Sequence, residues 1–202
     1  MLFLQTVEPH TLSVIQTLQS KNYLSDFLLV GGTALALQLG HRTSTDIDLF
    51  TTKRFSPNEL LIQLQEHFSL RINNQMTHAL LIEIENVKSD FVYQPSTIIG
   101  ALVVEQNVRM ASLKDIAAMK ISAITARGRK RDFIDLYILL QHFTLPEVID
   151  FFLLKYPNAT TILAIRSLFY FEDADQDFDP KCFFEYSWDK IKASIIKQAS
   201  KL

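Results

Sequence analysis

The chain has 202 residues, enough for one sizeable core or for two small lobes sharing an interface. With 48% hydrophobic and 21% charged residues, 5 Gly and 6 Pro, its make-up excludes a disordered or low-complexity chain. A formal net charge of -2 excludes a surface that is basic all over, though not a local basic groove.

Cys182 is the single cysteine, so no intramolecular disulfide forms and a reducing compartment is the default. The opening "MLFLQTVEPHTLSV" lacks the charged and apolar regions of a signal peptide. No apolar run reaches the roughly 18 residues of a membrane span. A soluble, cytoplasmic protein with no membrane partner is expected.

In chain order, the spacing of Leu12, Ile15 and Leu18 predicts a helix over 11–24. "DFLLV" (26–30) predicts a short buried strand running into the tight turn Gly31-Gly32. "TALALQLG" predicts a short helix, capped by Thr33 and ended by Gly40. "STDIDLFT" predicts a strand on which Ile47 and Leu49 face one way and Asp46 and Asp48 the other. "SPNE" predicts a capping box, Ser56 with Glu59, opening a helix to about Glu66. Residues 68–95 are rich in β-branched and aromatic side chains and predict at least two strands with a turn near 85–88. From Ser112 onward helical periods dominate: 113–127, 131–142, 146–155, 160–170 and 188–200. The order predicts an α+β fold, a mixed-sheet lobe over 1–110 followed by an all-α lobe over 111–202.

Asp46 and Asp48 share one side of a strand, ~6–7 Å apart, a spacing suited to two carboxylates that hold divalent ions on a phosphate chain. A DxD pair also occurs on ordinary solvated strand faces. The combination is more specific: an apolar strand, two glycines that let a ligand approach the backbone, a helix N-terminus that offers amides to phosphate, then the DxD strand. Asp90 in "VKSDFVYQ" is the candidate third carboxylate, a turn or edge aspartate being the alternative.

In the helical half, Lys120 lies in the middle of the stripe Leu113, Ile116, Ala117, Ile121, Ile124. A lysine there must snorkel, pair with a carboxylate or line a site. Asp132 and Asp135 share one side of the next helix. They can pair with Lys120, act as a base on an acceptor hydroxyl, or serve the helix dipole. Arg127, Arg129, Lys130 and Arg131 surround Gly128, either as a solvated turn or as phosphate contacts. The acidic run over 172–179 is no EF-hand, since Phe178 and Phe184 stand where Gly and Glu are needed.

The stretches "GGTALALQLGHRTSTDIDLF", "DIAAMKISAITARGRKRDFIDLY" and "LFYFEDADQDFDP…SW" together resemble the AbiEii/AbiGii-type toxin nucleotidyltransferases, within the DNA polymerase β-like nucleotidyltransferase superfamily. The resemblance spans about 27–188. It implies a nucleotidyltransferase lobe joined to a helical lobe, an NTP substrate, Mg²⁺ or Mn²⁺, and transfer of a nucleotide to an acceptor. RNA such as a tRNA 3′ end and a cognate antitoxin are the implied partners. By position, Gly31, Gly32 and Thr33 fit the phosphate turn, Arg42 a phosphate contact, and Asp46 and Asp48 the metal pair. Lys120 fits the family's helical lysine, and Asp132 and Asp135 its "RDxxD" motif. Many superfamily members carry Gly-Ser where this chain has Gly32-Thr33. A nucleotide-binding regulator without turnover and a protein-nucleotidylating enzyme are the alternatives.

Overall fold

A computed structural model of the chain describes residues 1–202. Two compact units emerge: Met1–Ser96 with Leu102–Ala111, and Thr97–Ala101 with Ser112–Leu202. No helix is long and apolar enough to cross a membrane.

The first unit is built on a seven-stranded mixed sheet in the order β3-β4-β5-β2-β1-β7-β6. Its strands are β1 (Leu28–Leu29), β2 (Ile47–Thr51), β3 (Leu70–Met76), β4 (Ala79–Ile84), β5 (Val87–Tyr93), β6 (Val103–Glu105) and β7 (Val108–Met110). Strand β2 pairs antiparallel with β1 and parallel with β5, and β1 pairs parallel with β7. Helices α1 (Pro9–Gln19), α2 (Gly31–Leu39) and α3 (Pro57–Gln65) complete the unit. The strand-rich stretch yields three strands. Its second turn falls at Glu85-Asn86, where both residues have positive φ (50° and 67°), the conformation that matches the twist of a two-residue hairpin. Gln106-Asn107 repeats this between β6 and β7.

Three expectations change. The first helix ends at Gln19, and a separate 3-10 turn covers Asn22–Leu24. Thr33 does not cap α2: the helix begins at Gly31 after Val30, and Thr33 lies inside its first turn. At α3 only half a capping box forms, with the Ser56 hydroxyl accepting from the Glu59 amide at 3.3 Å. The complete box is at Thr144 and Glu147, which bond reciprocally. Gly40 ends α2 in the left-handed conformation (φ 70°), as its position predicts.

The second unit holds α4 (Leu113–Arg127), α5 (Lys130–Leu139), α6 (Leu145–Lys155), α7 (Thr161–Ser167), the short α8 (Glu172–Asp175) and α9 (Trp188–Ala199). Ile116, Ala117, Ile121 and Ile124 of the predicted stripe are buried. Phe133, Phe171 and Trp188 form an aromatic cluster joining α5 to the α8–α9 region, with ring centroids 4.7 to 6.0 Å apart.

Thr97–Ala101 is tied into this unit through Asp115. Its carboxylate accepts from the amides of Ile99 and Gly100 (both 3.0 Å), the Ser112 hydroxyl (2.6 Å) and Lys155 Nζ (2.8 Å). Burial alone pushes the Asp115 carboxyl up, but these hydrogen bonds outweigh it and hold the group below its ordinary value.

Candidate active site

The sheet places Asp48 and Asp90 side by side. They are register partners on the parallel strands β2 and β5, so both side chains leave the same face of the sheet. Ile47 and Leu49 go to the opposite, fully buried face. Asp46 lies one residue ahead of β2, where the chain enters the strand. The backbone is bent to bring the α2 turn against this strand: Gly31 has φ 68°, and a Cβ there would stand 2.6 Å from Asp48 Oδ2. Glycine is required at Gly31 on both counts, conformation and space.

Gly32 is confined by space alone: a Cβ on it would meet Nη2 of Arg42, the far end of that side chain. Arg42 is buried against this turn and donates from Nη1 to the Thr43 carbonyl at 2.9 Å. Thr33 is buried too. Its hydroxyl donates to the Asp46 carbonyl and lies 2.8 Å from the Ser44 hydroxyl. That side chain therefore stitches α2 to the approach of β2, leaving its first-turn backbone as the part suited to an anion. His41, beside Arg42, is buried.

A residue that sequence reasoning passed over completes the face. Lys88, two positions before Asp90 on β5, puts Nζ 3.2 Å from Asp90 Oδ2 and 4.0 Å from Asp46 Oδ2. Across the sheet Lys88 partners Glu83, and Glu83 partners Arg71, to which it is ion-paired at 2.5 Å. A ladder of alternating charge thus runs from Asp46 to the edge strand β3. The alternation in "VKSD" was a readable signal, since it puts Lys88 and Asp90 on one face.

As acceptors for a metal ion, Asp46, Asp48 and Asp90 offer the all-oxygen donors that hard divalent cations take. Asp90 Oδ1 is buried without a hydrogen-bond partner, an acceptor with unused capacity. The donor set fits such an ion in kind. It is not drawn together into a ready group of three ligands, with the Lys88 ammonium lying between two of the carboxylates.

The helical unit carries its own charged constellation. Lys120 Nζ contacts Asp132 Oδ1 at 2.8 Å and Asp135 Oδ2 at 2.7 Å, and the three side chains are 7%, 1% and 0% exposed. Arg127 Nε faces the other Asp132 oxygen at 3.5 Å. This is how an apolar helix face tolerates Lys120: two carboxylates from α5 meet it inside the unit. Asp132 and Asp135 both meet Lys120, the pairing that is one of the roles open to them.

The basic run divides. Lys130 is buried, and its Nζ reaches the Asp177 carbonyl (2.8 Å) and Asp179 (3.1 Å). Arg129 is exposed. The acidic run over 172–179 is thereby accounted for in part, as a partner for Lys130 and, through Asp175, for Trp188 Nε1 and Lys192.

Comparison with known proteins agrees with this architecture. A putative nucleotidyltransferase from H. pylori has a similar fold, with a TM-score of 0.56 at 16% identity, covering 96% of this chain and 95% of that one. JHP933 from Helicobacter pylori is similar at a TM-score of 0.53 and 16% identity, over 96% and 92% of the two chains. An uncharacterized protein of Aquifex aeolicus, aq_aa25, is 34% identical over 172 residues, 81% of this chain and 82% of the relative. The family model for the nucleotidyl transferase AbiEii toxin of type IV toxin–antitoxin systems matches residues 15–201, nearly the whole chain. The chain belongs to that family of toxins, and it is a nucleotidyltransferase.

Proposed function

We propose that the chain transfers a nucleotide from an NTP to a hydroxyl on RNA, a tRNA 3′ end in the first instance, with Mg²⁺ or Mn²⁺ held by Asp46, Asp48 and Asp90. The observation that carries the reading is the position of Asp48. It is in register with Asp90 and packed against Gly31, the first residue of a helix whose opening amides suit phosphate. The reading is supported by strand pairing and a glycine turn that set these carboxylates beside the first turn of α2.

In this scheme the first-turn amides of Gly31, Gly32 and Thr33 receive the triphosphate, and Arg42, packed behind Gly32, adds positive charge to that turn. We carry Lys120, gripped by Asp132 and Asp135 in the helical unit, as a nucleotide-binding residue, the role that the family's helical motif implies for it. The divalent ion, when bound, neutralises the phosphates and lowers the cost of charge developing on the attacking and leaving oxygens. The acceptor hydroxyl forms its bond to the α-phosphorus as the bond to pyrophosphate breaks in line. Its proton is lost to solvent, and pyrophosphate leaves with the bonding electrons. We place this reaction in the cytoplasm, under the control of a cognate antitoxin, as befits a type IV family member.

The test is transfer of label from each α-³²P NTP, supplied separately with Mg²⁺, to total bacterial tRNA. The Asp46→Ala/Asp48→Ala variant runs alongside. Label on RNA that is lost in the variant is the expected result, and it also names the nucleotide. Label on protein in place of RNA would replace the acceptor. No label on any acceptor in the presence of Mg²⁺ or Mn²⁺ would overturn the scheme.

A further inference from the structure

We propose that Lys88 is a tethered counter-cation of the carboxylate site: it occupies the ground between Asp46 and Asp90 where a divalent ion binds, and must be displaced for the ion to enter. This rests on the metal reading of Asp46, Asp48 and Asp90 given above and adds what the chain itself does to the ion's affinity.

Position comes first. Lys88 and Asp90 project from the same face of β5, and Asp90 is the register partner of Asp48 on β2. The two ion-pair partners of Lys88 are Asp46, at 4.0 Å, and Asp90, at 3.2 Å. A divalent ion on those oxygens would stand within a few ångströms of the ammonium, a like-charge contact that drives one of them out.

Freedom to leave comes second, and it shows against the buried paired lysines. Lys120, Lys130 and Lys155 have side chains only 7%, 8% and 7% exposed. Each makes at least two contacts of about 3 Å or less. Lys88 is 51% exposed, and its contacts, at 3.2 and 4.0 Å, are longer. Swinging it away costs little desolvation. A displaced ammonium in this place would meet the anionic phosphates of the nucleotide. The protein should therefore hold the free ion weakly and hold it better once the nucleotide is bound.

The experiment is Mn²⁺ titration of nucleotide-free protein, following the free-ion signal by electron paramagnetic resonance, on wild type, Lys88→Met, Lys88→Arg and Asp90→Asn. Thermal unfolding of each is recorded with and without Mn²⁺. The expected result is roughly tenfold tighter binding in Lys88→Met, the order for a half-exposed charge at this distance. Lys88→Arg should bind as wild type does. Lys88→Met should unfold at lower temperature without Mn²⁺, its carboxylates now unshielded, and recover when Mn²⁺ is added. Unchanged or weaker binding in Lys88→Met, with Asp90→Asn still weakening it, would overturn the counter-cation and leave the metal site standing. Mn²⁺ binding indifferent to Asp90→Asn in every background would overturn both.

Discussion

Each compact unit holds aspartates against lysine, and the two do so in opposite ways. In the helical unit Asp132, Asp135 and Asp115 are withdrawn from water, and equally buried lysines meet them at 2.7 to 2.8 Å. In the sheet unit Asp46 and Asp90 keep 28% and 16% of their side-chain surface and share the half-exposed Lys88 at longer distance. A buried carboxylate must be compensated by the chain itself, or it would not stay ionised. A carboxylate at the surface can wait for a partner from solution. The difference separates charges that the chain compensates in its interior from charges that it keeps within reach of solvent.

The comparison can be broken most severely at Lys120. Lys120→Met leaves Asp132 and Asp135 buried with no ammonium, and should cost roughly 3–5 kcal/mol in urea-induced unfolding. Lys88→Met should cost far less. Equal losses at the two lysines would erase the distinction. A smaller effect is expected at the glycine turn. Gly31→Ala meets both a left-handed backbone and Asp48 Oδ2, so stability should fall by about 1–2 kcal/mol. Nucleotide transfer by the folded fraction should fall further, because Asp48 is pushed from its place. Wild-type transfer by Gly31→Ala would show that the close approach of turn and carboxylate is dispensable.

The finest test is pH. Hydrogen bonds hold folded Asp115 below its ordinary 3.8, so as acid is added the unfolded chain takes up the proton first. The stabilisation is fully present above the unfolded value and is lost as pH falls through the folded one. Asp115→Asn should therefore be less stable at neutral pH, by about 1–3 kcal/mol, yet lose stability less steeply below about pH 4. Parallel acid-unfolding curves for the two proteins would contradict the assignment of the Asp115 network.

Much of this was legible in the sequence because it rests on local rules. Gly31-Gly32, the alternation of Ile47 and Leu49 with Asp48, and the helical stripe around Lys120 each follow from a period or a turn requirement. What was not legible depends on which strand lies beside which. Nothing in the 41 residues between Asp48 and Asp90 states that β5 will pair parallel with β2, so the register of the two carboxylates emerges only in the sheet. The nearness of Lys88 to Asp90 was readable in "VKSD", but its nearness to Asp46, distant in sequence, again depends on the pairing of β2 with β5. Thr33 looked like a helix cap because its type suits one, but α2 starts at Gly31, and its hydroxyl went instead to the Asp46 carbonyl. The pairing of Lys120 with both Asp132 and Asp135 was half visible in their spacing, and the packing of α4 on α5 supplied the rest.

The measurement that bears most directly on the central claim is nucleotide transfer by Asp90→Asn beside Asp48→Asn, with circular dichroism to establish that both variants fold. If the two register partners act together, each substitution should reduce transfer by roughly 10²–10³-fold or more, the scale of removing one transition-state electrostatic contact. Full transfer by a folded Asp90→Asn would contradict the account: the pairing of β2 with β5 would then be architecture alone, and the working carboxylates would have to be Asp46 and Asp48 without it.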